Sequence, residues 1–194
     1  MNDLLFIIPM KDPGKAKSRL SSVLPDAVRA RLAMALYRRM ITFLRDAYPE
    51  IDILVVSDAA AMADGLSGVR FLRQQGSGLN AAVTEGAEWA CANQFRSICV
   101  LPADLADPCQ EDIDRLLALK GGVVLAPAHD GGTNALFATP PDAIEFYYGR
   151  GSCVAHQRAA EVANVPCTIA PLESLKYDID TSVDLARLKG VAWA

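Results

Sequence analysis

The strongest constraint on this chain is a series of short, nearly unbroken apolar runs separated by segments of helical periodicity. Leu4 to Ile8, Ile51 to Val56, Ser97 to Leu101 and Gly122 to Ala126 show almost no polar alternation, the pattern of strands covered on both faces. Val69 to Leu72 adds a shorter run. After Asp26, which can cap a helix running to about Tyr48, apolar residues return at three- and four-residue steps through Val28, Leu32, Leu36, Met40, Phe43 and Leu44. Arg29, Arg31, Arg38, Arg39 and Arg45 fall mostly elsewhere and are expected to form the wet face. A short alanine-rich helix after Ser57-Asp58, one from the Gly76–Asn80 loop to about Asn93, and one over Cys109 to Lys120 are expected next. Strand and helix in alternation imply an α/β layered fold with a largely parallel sheet.

The last third changes texture. Asp130-Gly131-Gly132 reads as a turn, Asn134 to Ala138 as a short strand and Pro140-Pro141 as a break. A helix near Ser152 to Val162, strands near Thr168 and at Leu175 to Ile179, and a closing helix from about Val183 complete the expectation. With no repeat, low-complexity tract or linker, the 194 residues form one domain. The net charge of −4 argues against a nucleic-acid or anionic-membrane partner, and no apolar run approaches the roughly 18 residues of a membrane span. A signal sequence is not expected either, since the N-terminus has no basic n-region and no small-residue cleavage site. Five widely spaced cysteines without a CxxC pair suit reduced thiols, hence a cytoplasmic setting.

Chemistry gathers at the loops. The first strand empties through Pro9 into a Pro13-Gly14 break that carries Lys11, Lys15, Lys17 and Arg19, four cations within nine residues. At the edge of an α/β sheet, such a loop can seat a polyphosphate. Asp104 follows the carboxyl end of a central strand, where ligands collect in open sheets. Asp178 and Asp180 sit in a strand-like alternation that puts both on one side, about 6.5–7 Å apart at the backbone, within reach of hard cations. Asp184 is expected to cap the last helix instead. Gly76-Ser77-Gly78-Leu79-Asn80-Ala81 follows the third strand and not the first, so it is a poor dinucleotide fingerprint, although a glycine loop opening a helix still offers backbone N–H groups. Asp130–Asn134 and Gly149–Ser152 are further seats for a second anionic ligand. His129 and His156 pair with no serine or cysteine in a triad pattern.

Taken in order, these motifs resemble a known family. Pro-x-Lys-(x)5-Lys-Ser-Arg-Leu at Pro9 to Leu20, Gly78-Leu79-Asn80, Leu101-Pro102-Ala103-Asp104 and Asp130-Gly131-Gly132-Thr133-Asn134 come first. Phe146-Tyr147-Tyr148-Gly149-Arg150-Gly151-Ser152 with His156, and Asp178-Ile179-Asp180-Thr181, complete the set. The chain is similar, from residue 4 to about 189, to the 2-phospho-L-lactate guanylyltransferase family, whose members include phosphoenolpyruvate and 3-phospho-D-glycerate enzymes of coenzyme F-420 biosynthesis. The resemblance implies a single Rossmann-like GT-A nucleotidyltransferase domain with a mostly parallel mixed sheet. It implies GTP and a small phosphorylated three-carbon acid as substrates, pyrophosphate as product, and Mg2+ as cofactor. Carried onto this sequence, Lys11, Lys17 and Arg19 would hold the triphosphate, with Gly78, Leu79, Asn80 and Pro102 bordering the nucleotide. Asp104, Asp178 and Asp180 would carry magnesium, with Lys17 and Asp104 closest to the chemistry. Thr133, Asn134, Gly149 and Ser152 would hold the acceptor. Residues 1–104 would then serve mainly the nucleotide, and 105–194 mainly the acceptor together with the Asp-x-Asp metal site. Two other readings compete: a nucleotidyltransferase acting on molybdopterin or a sugar phosphate, and a non-catalytic nucleotide-binding module. Phe146-Tyr147-Tyr148 offers a contact surface on which a homodimer could form, with the oligomeric state left open.

Overall fold

A computed structural model describes residues 3–63, 68–119 and 121–188 of the chain. Its strands are β1 (Leu4–Pro9), β2 (Asp52–Ser57), β3 (Arg70–Arg73), β4 (Ser97–Val100), β5 (Gly122–Pro127), β6 (Thr133–Thr139) and β7 (Cys167–Ile169). They form one sheet in the order β3-β2-β1-β4-β6-β5-β7. Every pairing is parallel except those of β6, which runs antiparallel to both β4 and β5. The inverted strand follows from the tight Asp130–Gly132 turn, which is too short for the crossover a parallel neighbour needs.

Four helices cover the sheet: α1 (Asp26–Ala47), α2 (Gly78–Ala92), α3 (Gln110–Ala118) and α4 (Ser152–Ala163). Strand periodicity divides the core between the two faces. Phe6 and Ile8 of β1 join Ile53, Val55 and Val124 beneath α1 and α3. Leu5 and Ile7 join Leu54, Val56, Ile98 and Leu125 beneath α2 and α4. In α1, Leu32, Leu36, Met40, Ile41 and Leu44 are all at most 1% exposed. Each such burial contributes about 1.5–3 kcal/mol, against about 1 or less for a surface ion pair, so the apolar stripe sets the helix in place. The opposite layer is built from small residues. Ala82, Val83, Gly86, Ala87 and Ala90 let α2 approach the sheet so closely that a Cβ on Gly86 would lie 3.0 Å from Ile7 Cγ2.

Three expectations need correction. Leu175 to Ile179 is not a strand: Glu173–Leu175 is a 3-10 turn, and Asp178 makes a single antiparallel bridge to Leu105. The segment crosses the loop beyond β4, where the opposing chain is no longer extended and no ladder can continue. The alanine-rich stretch is a 3-10 turn at Ala60–Ala63, and the chain after Val183 forms only the 3-10 turn Asp184–Arg187 before residue 189, where the described residues end. The expected end of the α3 segment, Lys120, likewise lies outside the described residues. Among these residues no helix is long and apolar enough to cross a membrane.

Candidate active site

The strand order reverses at β1: β2 and β3 lie on one side, and the chain returns through α2 to place β4 on the other. Such a switch point leaves a crevice at the carboxyl ends of the strands. A cavity of about 590 Å³ opens there. Its floor is the end of β1 (Pro9, Met10, Lys11) and the β4 exit (Val100, Pro102, Ala103, Asp104). Gln74, Gly76, Ser77, Gly78 and Leu79 form one wall, and Asp178 and Asp180 approach with Lys17. Thr133 and Asn134 form the far wall. Because β6 is antiparallel to β4, its first residues face this cavity, whereas β1 and β4 contribute their last.

Lys17 is the electrostatic centre. It adopts a left-handed backbone (φ 55°, ψ 36°) between the 3-10 turns Pro13–Lys15 and Ser18–Leu20, a conformation that costs a non-glycine residue about 1 kcal/mol or more. That turn sends its side chain, 5% exposed, inward to an ion pair with Asp104 and a second with Asp180 at 3.2 Å. Burial alone would lower the ammonium pKa; the attraction of Asp104 and Asp180 outweighs it and holds the pKa above its ordinary value. Lys17 is therefore charged whenever these carboxylates are. Asp178 has the opposite problem. Burial, then repulsion from Asp104 and Asp180, pushes its pKa up to about 6.

The loops that carry these groups are tied down by α1. Arg29, only 8% exposed, donates to the carbonyl of Ala16 at 3.1 Å. Arg39 donates to the carbonyls of Leu105 and, at 2.9 Å, Ala106. Two of the arginines expected on a wet face thus brace the Lys17 and Asp104 loops; a carbonyl contributed by a distant loop leaves no trace in helical periodicity. On the last loop, Ile179 N–H donates to the Asp104 carbonyl at 3.0 Å and Ala106 N–H to the Tyr177 carbonyl at 2.8 Å. Asp178 and Asp180 reach the cavity through this pairing instead of through strand alternation. Asp184 is structural but caps no helix: its carboxylate accepts from the Thr181 hydroxyl at 2.7 Å and the Thr181 N–H at 2.8 Å, bracing the loop before the Asp184–Arg187 turn.

The remaining expected residues divide. Lys11, Gly78, Leu79 and Pro102 line the cavity. Arg19 is exposed and pairs with Asp180 at 3.0 Å, outside the lining. Asn80 is tied to the segment before α4: its Oδ1 accepts from Tyr148 N–H at 2.6 Å and its Nδ2 donates to the Tyr148 carbonyl at 3.4 Å. Thr133 and Asn134 are each 8% exposed, and Asn134 Nδ2 is buried without a partner. Ser152 stands behind Thr133, donating to its hydroxyl at 3.2 Å, and Gly149 lies in the turn before α4, away from the lining. The N–H groups of Ser152 and Cys153 are taken by the carbonyls of Gly149 and Gly131, so these two amides are not available to an anion. Of the aromatic segment, Phe146 is buried, Tyr148 turns into the cavity wall, and Tyr147 alone is exposed, at 46%. Sequence reasoning missed Asp58 and Gln74, which line the cavity just beyond β2 and β3; the strand-exit rule that singled out Asp104 would have found both. Tyr148, which the sequence reading placed only in a motif and a contact surface and gave no site role, lines the cavity with a buried hydroxyl that has no partner.

Asp104, Asp178 and Asp180 are hard oxygen donors of the kind magnesium takes. Among the described residues no three acidic, histidine or cysteine side chains are grouped to hold one ion by themselves. Asp104 and Asp180 are instead paired with Lys17, and magnesium is commonly held by one or two carboxylates only together with substrate phosphates.

The chain is similar to known proteins over most of its length. A 3-phospho-D-glycerate guanylyltransferase of Colwellia psychrerythraea is 38% identical over 188 residues, covering 94% of this chain and 90% of the relative. A phosphoenolpyruvate guanylyltransferase of Rubrobacter xylanophilus is 36% identical over 188 residues, covering 94% and 92%. Among solved structures, a protein described as a nucleotide-diphospho-sugar transferase from Desulfovibrio desulfuricans G20 superposes with a TM-score of 0.75 at 20% identity, covering 95% of this chain and 85% of its own. A 4-diphosphocytidyl-2C-methyl-D-erythritol synthase from Anaerococcus prevotii does so at 0.62 and 11%, covering 95% and 93%. These two likenesses carry the fold, the GT-A-like nucleotidyltransferase sandwich. Residues 4–189 match the family described as Guanylyl transferase CofC like, and the chain belongs to that family of nucleotidyltransferases.

Proposed function

We propose that the protein transfers GMP from GTP to the phosphate of a small three-carbon phospho-acid (2-phospho-L-lactate, phosphoenolpyruvate or 3-phospho-D-glycerate) and releases pyrophosphate, in the assembly of coenzyme F-420. The observation that carries this reading is one cavity with two unlike ends. A buried lysine among carboxylates faces Thr133 and Asn134, whose amide nitrogen lacks a partner. The first end suits a polyphosphate with its cation, and the second a smaller anion. Residues up to Asp104 then serve mainly the nucleotide and the later ones mainly the acceptor.

The acceptor needs no general base. The second pKa of a phosphate monoester is about 6, so at neutral pH its oxygen is already a nucleophile. The barrier is the approach of this anion to the α-phosphate of another polyanion. An acceptor phosphate oxygen attacks the α-phosphorus in line, the bond from that phosphorus to the β-bridging oxygen breaks, and pyrophosphate leaves with the electron pair. Lys17 lies near the attacked phosphorus as a fixed positive charge, and Lys11 and Arg19 neutralise the tail. Asp104, Asp178 and Asp180 would hold magnesium only together with the phosphates of bound GTP, and the ion would supply charge neutralisation and alignment of those phosphates. Thr133 and Asn134 orient the acid with hydrogen bonds to its anionic oxygens, Ser152 supports Thr133, and Gly149 gives the turn before α4 its shape. The five cysteines are free thiols, in keeping with a cytoplasmic setting.

The test is to incubate the protein with magnesium, each of the four nucleoside triphosphates and each of the three acids, and to identify adducts by mass. GTP with at least one acid should give the guanosine diphospho-adduct. Asp104→Asn and Asp180→Asn should each lose most turnover while leaving the fold intact. No adduct with any pairing would overturn the assignment, and near-normal rates in either variant would refute the metal site.

A further inference from the structure

His156 lies in the second turn of α4, is 0% exposed, and has no part in the chemistry above. Both ring nitrogens are nevertheless engaged. Nε2 lies 2.9 Å from the backbone nitrogen of Tyr147, which can only donate, so Nε2 is an acceptor and carries no proton. The single proton of the neutral ring must then sit on Nδ1, 3.0 Å from Thr133 Oγ1. Ser152 Oγ donates to the same oxygen at 3.2 Å. A hydroxyl oxygen has two lone pairs and one proton. With both lone pairs occupied from behind, Thr133 faces the cavity only as a donor, next to the unpartnered amide nitrogen of Asn134.

We propose that His156 is a positioning residue of the acceptor end: its Nδ1–H turns the Thr133 hydroxyl into a one-way donor, so that this wall accepts an anionic oxygen and rejects a neutral donor group. Burial, which depresses the imidazole pKa to about 4, keeps the ring in the neutral form this requires. Tyr148, edge-on to the ring at 4.8 Å between centroids, helps to fix its plane. The inference rests on the assignment of Thr133 to the acceptor.

Two variants separate the roles of the two nitrogens, because an asparagine amide can stand in for Nδ1–H and a glutamine carbonyl for Nε2. His156→Asn should keep the KM for the phospho-acid within about twofold of the parent. His156→Gln should raise it about tenfold or more, the loss expected for a weakened hydrogen bond to a charged group. The KM for GTP should stay within about twofold in both. Equal rises in both variants, no rise in either, or a parallel rise in the GTP KM would overturn the proposal. A second measurement does not depend on the variants folding. In the substrate-free parent protein labelled with 15N-histidine, only two histidines contribute, and His156 should show a protonated Nδ1 and a bare Nε2 at neutral pH. The opposite tautomer, or an imidazolium, refutes it. If the parent uses none of the acids, the acceptor assignment fails and takes this role with it; if acids are used but the tautomer is reversed, the role of His156 alone falls.

Discussion

Replacing Asp178 by asparagine should make the metal-free protein more stable while it damages turnover. Asp178 is partly buried beside Asp104 and Asp180, and its pKa stands at about 6 against an ordinary 3.8. Holding an ionised carboxyl there costs about 2 kcal/mol, the free-energy equivalent of that gap after a discount for partial exposure. The sign follows from proton binding. Between about 4 and 6 the folded state keeps a proton that the unfolded state has released, so rising pH removes stability across this window and the full cost stands above it. Asparagine has nearly the same shape and no charge, and the backbone bonds Ile179 N–H to Asp104 O and Ala106 N–H to Tyr177 O are untouched by the change. At pH 7.5 in chelator, Asp178→Asn should therefore melt about 4–8 °C above the parent, taking about 2–4 °C per kcal/mol for a chain of this size. At pH 4 the difference should nearly vanish. Differential scanning calorimetry across pH 4–8 reads both, and magnesium with GTP should narrow the gap at neutral pH. A variant that melts at or below the parent at pH 7.5, or a gap that persists unchanged at pH 4, would refute the electrostatic account of this cluster.

Three further outcomes are expected. The pKa of His156 is lowered by burial to about 4 from an ordinary 6.5, so the unfolded state takes up a proton first as pH falls and stability is lost between about 6.5 and 4. Asp178 acts oppositely over much of this range, so Asp178→Asn should show a steeper acid loss than the parent in urea titrations at pH 4.5 and 6.5. Gly86→Val should destabilise by about 1–3 kcal/mol in urea unfolding, because its side chain must enter space held by Ile7 and Val56. Asp112→Ala should cost about 1–3 kcal/mol by the same assay, since the buried carboxylate accepts from Ser174 N–H at 2.9 Å and Arg115 at 3.1 Å.

The core was legible in the sequence because burial on both faces of a strand leaves a direct mark: Leu4 to Ile8 and Gly122 to Ala126 fall within a residue of the observed strands. Strand direction was not. Nothing in Asn134 to Ala138 distinguishes a parallel from an antiparallel strand; only the shortness of the turn before it carries that information. The Asp178 and Asp180 segment misled for the reverse reason. Alternation over six residues is what a strand requires, but a ladder also needs an extended partner, and the chain at Leu105 supplies one bridge. At the site, charged loop residues such as Lys17 and Asp104 stood out because their positions after strands restrict what they can do. Arg29 and Arg39 did not, and Asn80 and His156 did so only through the family resemblance, because each acts through a backbone group or hydroxyl remote in sequence.

The Asn80 contact has a consequence for how the two substrates influence each other. One amide at the start of α2 grips both polar groups of the Tyr148 backbone, 68 positions later in the chain. On the proposed assignment, the wall that would meet the nucleotide and the strand-to-helix connection that would lie beside the acid are tied together by this one amide. Ordering either side lowers the entropy that the other must still surrender on filling, and linkage makes that benefit equal in both directions. On that assignment, a pocket joined in this way would favour the ternary complex over either half-filled state and so limit the time a bound triphosphate waits with water as its only available nucleophile.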